Sequence, residues 1–61
     1  MKRKLLATRD RDKETVVLYE LPDNEGTPYV TWLAEKETPE NTFWGHYFTN
    51  VVDAVHDFDK R

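Results

Sequence analysis

The sequence predicts an α+β domain: a meander of three to four antiparallel strands, then one C-terminal helix packed on one face of the sheet, in the order ββββα. Three observations carry this reading. Stretches rich in β-branched and aromatic residues alternate with clusters of Pro, Gly, Asn and Asp. The segments between those stretches are shorter than the dozen or so residues a parallel crossover needs, so neighbouring strands run antiparallel. Beyond Asn50 the apolar period changes from that of a strand to that of a helix. A chain of 61 residues forms a single domain, residues 1–61. At that size only about 60% of the unfolded chain's surface is buried on folding, so stability is thin.

A short first strand is expected at residues 4–8, joined to the next by a charged turn at residues 9–13. Residues 15–21 follow, rich in Val, Leu and Tyr, and stop at Pro22, Asp23, Asn24, Glu25 and Gly26, each a turn former for its own backbone reason. Residues 29–34 repeat the pattern and end in the polar stretch 35–41, where Pro39 and Asn41 oppose continued pairing. Residues 42–48 form the last strand, and Gly45 inside it marks a bulge or a close approach by another group.

The helix is expected over residues 50–60. Val51, Ala54, Val55 and Phe58 fall at i, i+3, i+4 and i+7, with Asp53, His56, Asp57 and Lys60 on the other face. Asn50 suits the N-cap, Asp53 takes the capping-box position three residues on, and Lys60 with Arg61 complement the C-terminal end of the dipole. An isolated helix of about 11 residues is marginal in water, so its apolar stripe must dock on the sheet. Val51, Val55 and Phe58 are expected to meet Val17, Tyr19 or Phe43.

Hydrophobic residues make up 38% of the chain and aromatics 13%, an ordinary globular composition, and no apolar run approaches the roughly 20 residues of a membrane span. Leu5, Leu6 and Ala7 after the basic start are too few for a signal-peptide core, and the absence of cysteine fits a reducing compartment. A cytoplasmic location without membrane contact follows as the expectation. The net charge of −3 conceals an asymmetry: residues 1–13 carry six Lys/Arg against Asp10 and Asp12, a net of +4, and the remainder carries three against ten carboxylates, a net of −7. Such asymmetry marks a nucleic-acid or acidic-partner contact at the basic end, an acidic surface aimed at a basic protein at the other, or simply the solubilising charges by which small sheets avoid edge pairing.

Little in the chain suggests catalysis. It contains neither Ser nor Cys, which removes the usual hydroxyl and thiol nucleophiles, and its only glycines are Gly26 and Gly45, which rules out a glycine-rich phosphate loop. His46, His56 and Asp53 allow a two-histidine carboxylate metal site to be drawn, without any spaced ligand motif to support it. The carboxylate pairs Glu35 with Glu37 and Asp57 with Asp59 have no evident cleft to work in. The expectation is a protein that is not an enzyme and needs no cofactor or metal.

The surfaces say more. Every main strand carries large apolar side chains on both sides, while one short helix screens only one face. Either the second face is an exposed contact surface, or sheet curvature and long Lys and Arg side chains cover it. Trp32, Trp44, His46 and Phe48 are the candidates for the open face; if the register inverts, Phe43 and Tyr47 replace them. Lys2, Arg3, Lys4, Arg9, Arg11 and Lys13 form a candidate basic contact, and with exposed sheet aromatics they give a nucleic-acid-binding alternative, which the acidic excess elsewhere opposes.

The segments YVTW at residues 29–32, WGHYF at residues 44–48 and DFDKR at residues 57–61 resemble those of a group of short uncharacterised bacterial and phage proteins. The resemblance spans most of the chain and implies the same fold order and a cytoplasmic setting, but brings no activity, cofactor or catalytic residue with it. A phage connection implies a small acidic protein that binds and blocks a host protein. The function expected from sequence is thus non-catalytic protein binding, to another protein or to itself as a homodimer.

Overall fold

The computed structural model describes residues 2–61. It contains four strands, β1 (Lys4–Asp10), β2 (Glu14–Glu20), β3 (Tyr29–Glu35) and β4 (Thr42–Phe48), and one helix, α1 (Val51–Lys60). The strands form one antiparallel sheet in the order β1-β2-β3-β4, and α1 lies across β2, β3 and β4. The predicted α+β meander is therefore the observed architecture, with β1 a full strand two residues longer than expected. Among the described residues no helix is long and apolar enough to cross a membrane.

Turn chemistry closes each connection. Arg11 N–H donates to the Glu14 carbonyl at 2.8 Å in the first, and Leu21 N–H donates to the Pro28 carbonyl at 2.6 Å to close the second. Within that second loop Asn24 Nδ2 donates to the Thr27 carbonyl at 2.7 Å, while Gly26 takes φ +88°, a conformation glycine adopts without a Cβ clash. In the third, Glu35 N–H donates to the Asn41 carbonyl at 3.2 Å. Asn50 caps α1 as expected, its Oδ1 accepting from Asp53 N–H at 2.9 Å.

The helix is rotated from the expected orientation. Val16, Leu18, Leu33, Ala54 and Phe58 form the core, with Ala7, Tyr29, Phe43 and Phe48 packed around them. Val51 and Val55 remain 39% exposed and do not reach the core centre, and Val52 is 62% exposed. The face turned to the sheet runs Ala54, Asp57, Phe58, Arg61, again at i, i+3, i+4 and i+7, but half polar. Val17 and Tyr19, expected beneath the helix, lie on the opposite face, because pairing sets them with Trp32 and Val30 and leaves Val16 and Leu18 on the helix side. The apolar pattern alone misplaced this contact because Asp57 and Arg61 have polar partners on the sheet.

Arg9 on β1 ties the far end of α1 down. Its guanidinium donates to the Phe58 carbonyl at 2.8 Å and lies 5.8 Å from the Phe58 ring centroid, serving a C-terminal helix carbonyl and covering an aromatic together. Phe58→Ala is expected to destabilise the fold by about 3 kcal/mol, and Val52→Ala by less than about 0.5 kcal/mol. Urea unfolding followed by circular dichroism measures both, and equal losses would mean that the helix docks by a different face.

Candidate binding site at the fourth strand

β4 pairs regularly with β3 at both ends, but between the Thr31–His46 and Leu33–Phe43 pairs the register slips, so Trp44 and Gly45 together oppose Trp32. This bulge holds Trp44 at φ +54°, the only non-glycine residue in the left-handed region among those described. For a bulky side chain that conformation costs roughly 1–2 kcal/mol. Gly45 is required by packing: a Cβ there would collide with the indole Nε1 of Trp32 and lie 2.7 Å from its Cδ1. The Trp44 indole itself is 73% exposed, resting edge-on to Phe43 at a centroid distance of 5.5 Å.

Four side chains meet behind the bulge. Thr31, fully buried in β3, donates its hydroxyl to Asp57 Oδ2 at 2.5 Å. His46 Nδ1 lies 2.9 Å from that same oxygen. The Arg61 guanidinium donates to the Thr31 carbonyl at 3.1 Å and to the Trp44 carbonyl, and its Nε is 3.8 Å from Asp57. One cation thereby satisfies carbonyls on two strands and fixes the bulge to the end of α1. Burial works against ionisation of Asp57, but the hydrogen bonds from Thr31 and His46 and the charges of His46 and Arg61 outweigh it and hold the carboxyl below its usual range. Burial also pulls Arg61 down, against the attraction of Asp57 and with the repulsion of Arg11.

On the sheet face away from α1 a row of aromatics crosses three strands. Tyr19 meets Trp32 edge-on at 5.6 Å, and Trp32 meets Tyr47 at 6.2 Å. Arg3 lies 4.8 Å from the Tyr19 centroid and 5.8 Å from that of Trp32, so a long cationic side chain covers part of this face. Beneath the row Val17, Val30 and Ala34 are buried, which makes a second small core out of a surface with no helix over it.

The expected open-face set is thus divided. Trp32 lies on that face but is half-buried in the aromatic row. His46 and Phe48 lie on the helix side, because the bulge adds one residue to β4 and shifts its alternation; Phe43, at the opposite parity in sequence, shares their side. Trp44 projects at the bulge, and Tyr47, 51% exposed, takes the open face. Of the basic set, Arg3 stacks on aromatics, Arg9 binds the helix end, and Arg11 faces Glu14 at 3.9 Å. Lys2, Arg3, Lys4, Arg11 and Lys13 are exposed, and Arg9 is half-buried. His46 pairs with Asp57 and not with Asp53, which is engaged with Asn50, and His56 is exposed on the helix. Among the described residues no three His, Cys, Asp or Glu side chains are grouped to hold a metal ion.

Thr31, Asp57 and Arg61 were absent from the sequence candidates. The available signal was Thr31 itself, a hydroxyl on the Tyr29–Leu33 side of a central strand, which needs a buried partner. Compared with protein-family models, curated proteins and solved structures, the chain matches none of them.

Two outcomes follow. With its folded pKa below the unfolded value, ionised Asp57 contributes stability that is fully present above the ordinary carboxylate range and is lost as pH falls through the depressed value. Asp57→Asn is expected to cost about 1–3 kcal/mol at pH 7 and progressively less in acid, as read by urea unfolding across pH. A deficit independent of pH would contradict the ionic role. Gly45→Ala is expected to cost about 1–3 kcal/mol through overpacking against Trp32, with a changed tryptophan environment in near-ultraviolet dichroism.

Proposed function

We propose that this domain is a non-catalytic protein-binding module whose contact surface is centred on Trp44, with Tyr47 on the same edge strand. The observation that carries the reading is the backbone of Trp44: a bulky residue held at φ +54° with its indole 73% exposed, while Gly45 and Arg61 fix the chain on either side of its peptide carbonyl. Strained backbone that holds a large apolar side chain in water has a use at binding sites, and a tryptophan already fixed in place loses little freedom on association. Trp and Tyr are also the side chains that most often dominate interface energetics.

Both edge strands are bulged, β1 between Leu5 and Ala7 and β4 opposite Trp32, which disfavours strand addition at either edge. Side chains and not backbone pairing are therefore the means of contact. The nucleic-acid alternative finds less support, since Arg9 is engaged with the helix end and the acidic excess of residues 14–61 opposes phosphate binding. The resemblance to short phage and bacterial proteins adds a class of partner, a host protein bound and blocked.

The test is capture from a cell lysate by the wild type, Trp44→Ala and Val52→Ala. Capture is expected to survive nuclease and raised salt, to persist with Val52→Ala and to be lost with Trp44→Ala while that variant's dichroism spectrum stays folded. Capture abolished by nuclease would replace this reading with nucleic-acid binding. Sedimentation over a range of concentrations separates a second copy of the chain from a foreign partner.

A further inference from the structure

His46 stands between two charged groups, with Nδ1 2.9 Å from Asp57 Oδ2 and Nε2 3.3 Å from an Arg61 guanidinium nitrogen. A carboxylate only accepts and a guanidinium only donates. The imidazole that satisfies both is the neutral form with its proton on Nδ1 and its lone pair on Nε2, a tautomer assigned by its partners. Among the described residues Asp57 and Arg61, both from the α1 side, are the charged groups within hydrogen-bond or ion-pair reach of His46; β3 contributes only Thr31, which does not titrate.

We infer that His46 is a proton-sensitive switch for the display of Trp44: neutral His46 holds Arg61 on the Trp44 carbonyl, and protonated His46 expels Arg61 and lets the bulge relax. This inference rests on the reading of Trp44 as the contact residue. A second proton turns Nε2 into a donor aimed at a donor and places two cations 3.3 Å apart, with Asp57 as the counter-ion they share. The imidazole holds the nearer place on that carboxylate, 2.9 Å against 3.8 Å for Arg61 Nε. Arg61 is the group that gives way although its side chain is 10% exposed against 52% for His46, since it lies just beyond the last turn of α1, feels the positive charge of Arg11 and holds the longer contact to Asp57. Its departure removes the side-chain donor from the Trp44 carbonyl, and the left-handed backbone at Trp44 loses the contact that offsets its strain. Trp44 then moves toward extended backbone and its indole leaves the position set by Phe43.

The experiment is NMR of the full chain with no partner present, from about pH 8 to pH 5, the range in which histidines ordinarily change charge. A positive φ gives Trp44 a strong contact between its own amide and α protons, so that cross-peak reads the switch directly. At the upper pH it is expected to be strong, and to fall to the level of ordinary strand residues with the same midpoint as the His46 ring signals. In His46→Gln it stays strong throughout, and in His56→Gln it falls as in the wild type. An unchanged cross-peak while the His46 ring titrates, a fall that persists in His46→Gln, or loss of structure throughout the spectrum would each overturn the switch. No partner enters this measurement, so its failure leaves the Trp44 contact reading to be judged by the capture experiment alone.

Discussion

One extra residue in β4 governs which side chains face the helix. In a regular pleat Phe43 and Phe48 would point to opposite faces, since an odd number of residues separates their parities. The bulge at Trp44 and Gly45 returns Phe43, His46 and Phe48 to a common side, where the two phenylalanines pack around Ala54 and Phe58 and the histidine reaches Asp57. The same irregularity opens room for the Trp32 indole against Gly45 on the other face. Both layers of the domain thus depend on a local departure from sheet geometry that would be a defect if Arg61 did not anchor it.

Arginine side chains serve this small fold as covers and clasps. Arg3 lies over Tyr19 and Trp32, Arg9 over Phe58 and the end of α1, and Arg61 binds the carbonyls of Thr31 and Trp44. Arg3 and Arg9 cover aromatic rings, and Arg9 and Arg61 satisfy backbone acceptors, which suits a chain too short to build two full layers. Of the basic residues among the first thirteen, Arg9 is drawn furthest into the fold, while Lys2, Arg3, Lys4, Arg11 and Lys13 stay exposed.

The elements were legible because turn chemistry and apolar period are local properties. The polar stretch before Thr42 and the Asn50 cap each begin an element where the structure does, and the cluster from Pro22 to Gly26 follows β2 one residue after its end at Glu20. What escaped was rotation and phase. Counting apolar positions turned Val51 and Val55 inward, whereas a buried hydroxyl at Thr31 and two strand carbonyls draw Asp57 and Arg61 to the sheet. Gly45 signalled a bulge, but alternation assumed a pleat without one, so His46 and Phe48 were assigned to the wrong face. Those outcomes depend on contacts between residues 11 to 30 positions apart, which no local pattern contains.

The phase of β4 is best tested by the nuclear Overhauser contacts of its aromatic rings. The bulged register requires contacts from both Phe43 and Phe48 to the Ala54 methyl or the Phe58 ring, and from Tyr47 to Trp32 and not to α1. Contacts from Tyr47 to the helix, with Phe48 or Phe43 absent from it, would mean an unbroken strand and would contradict the account.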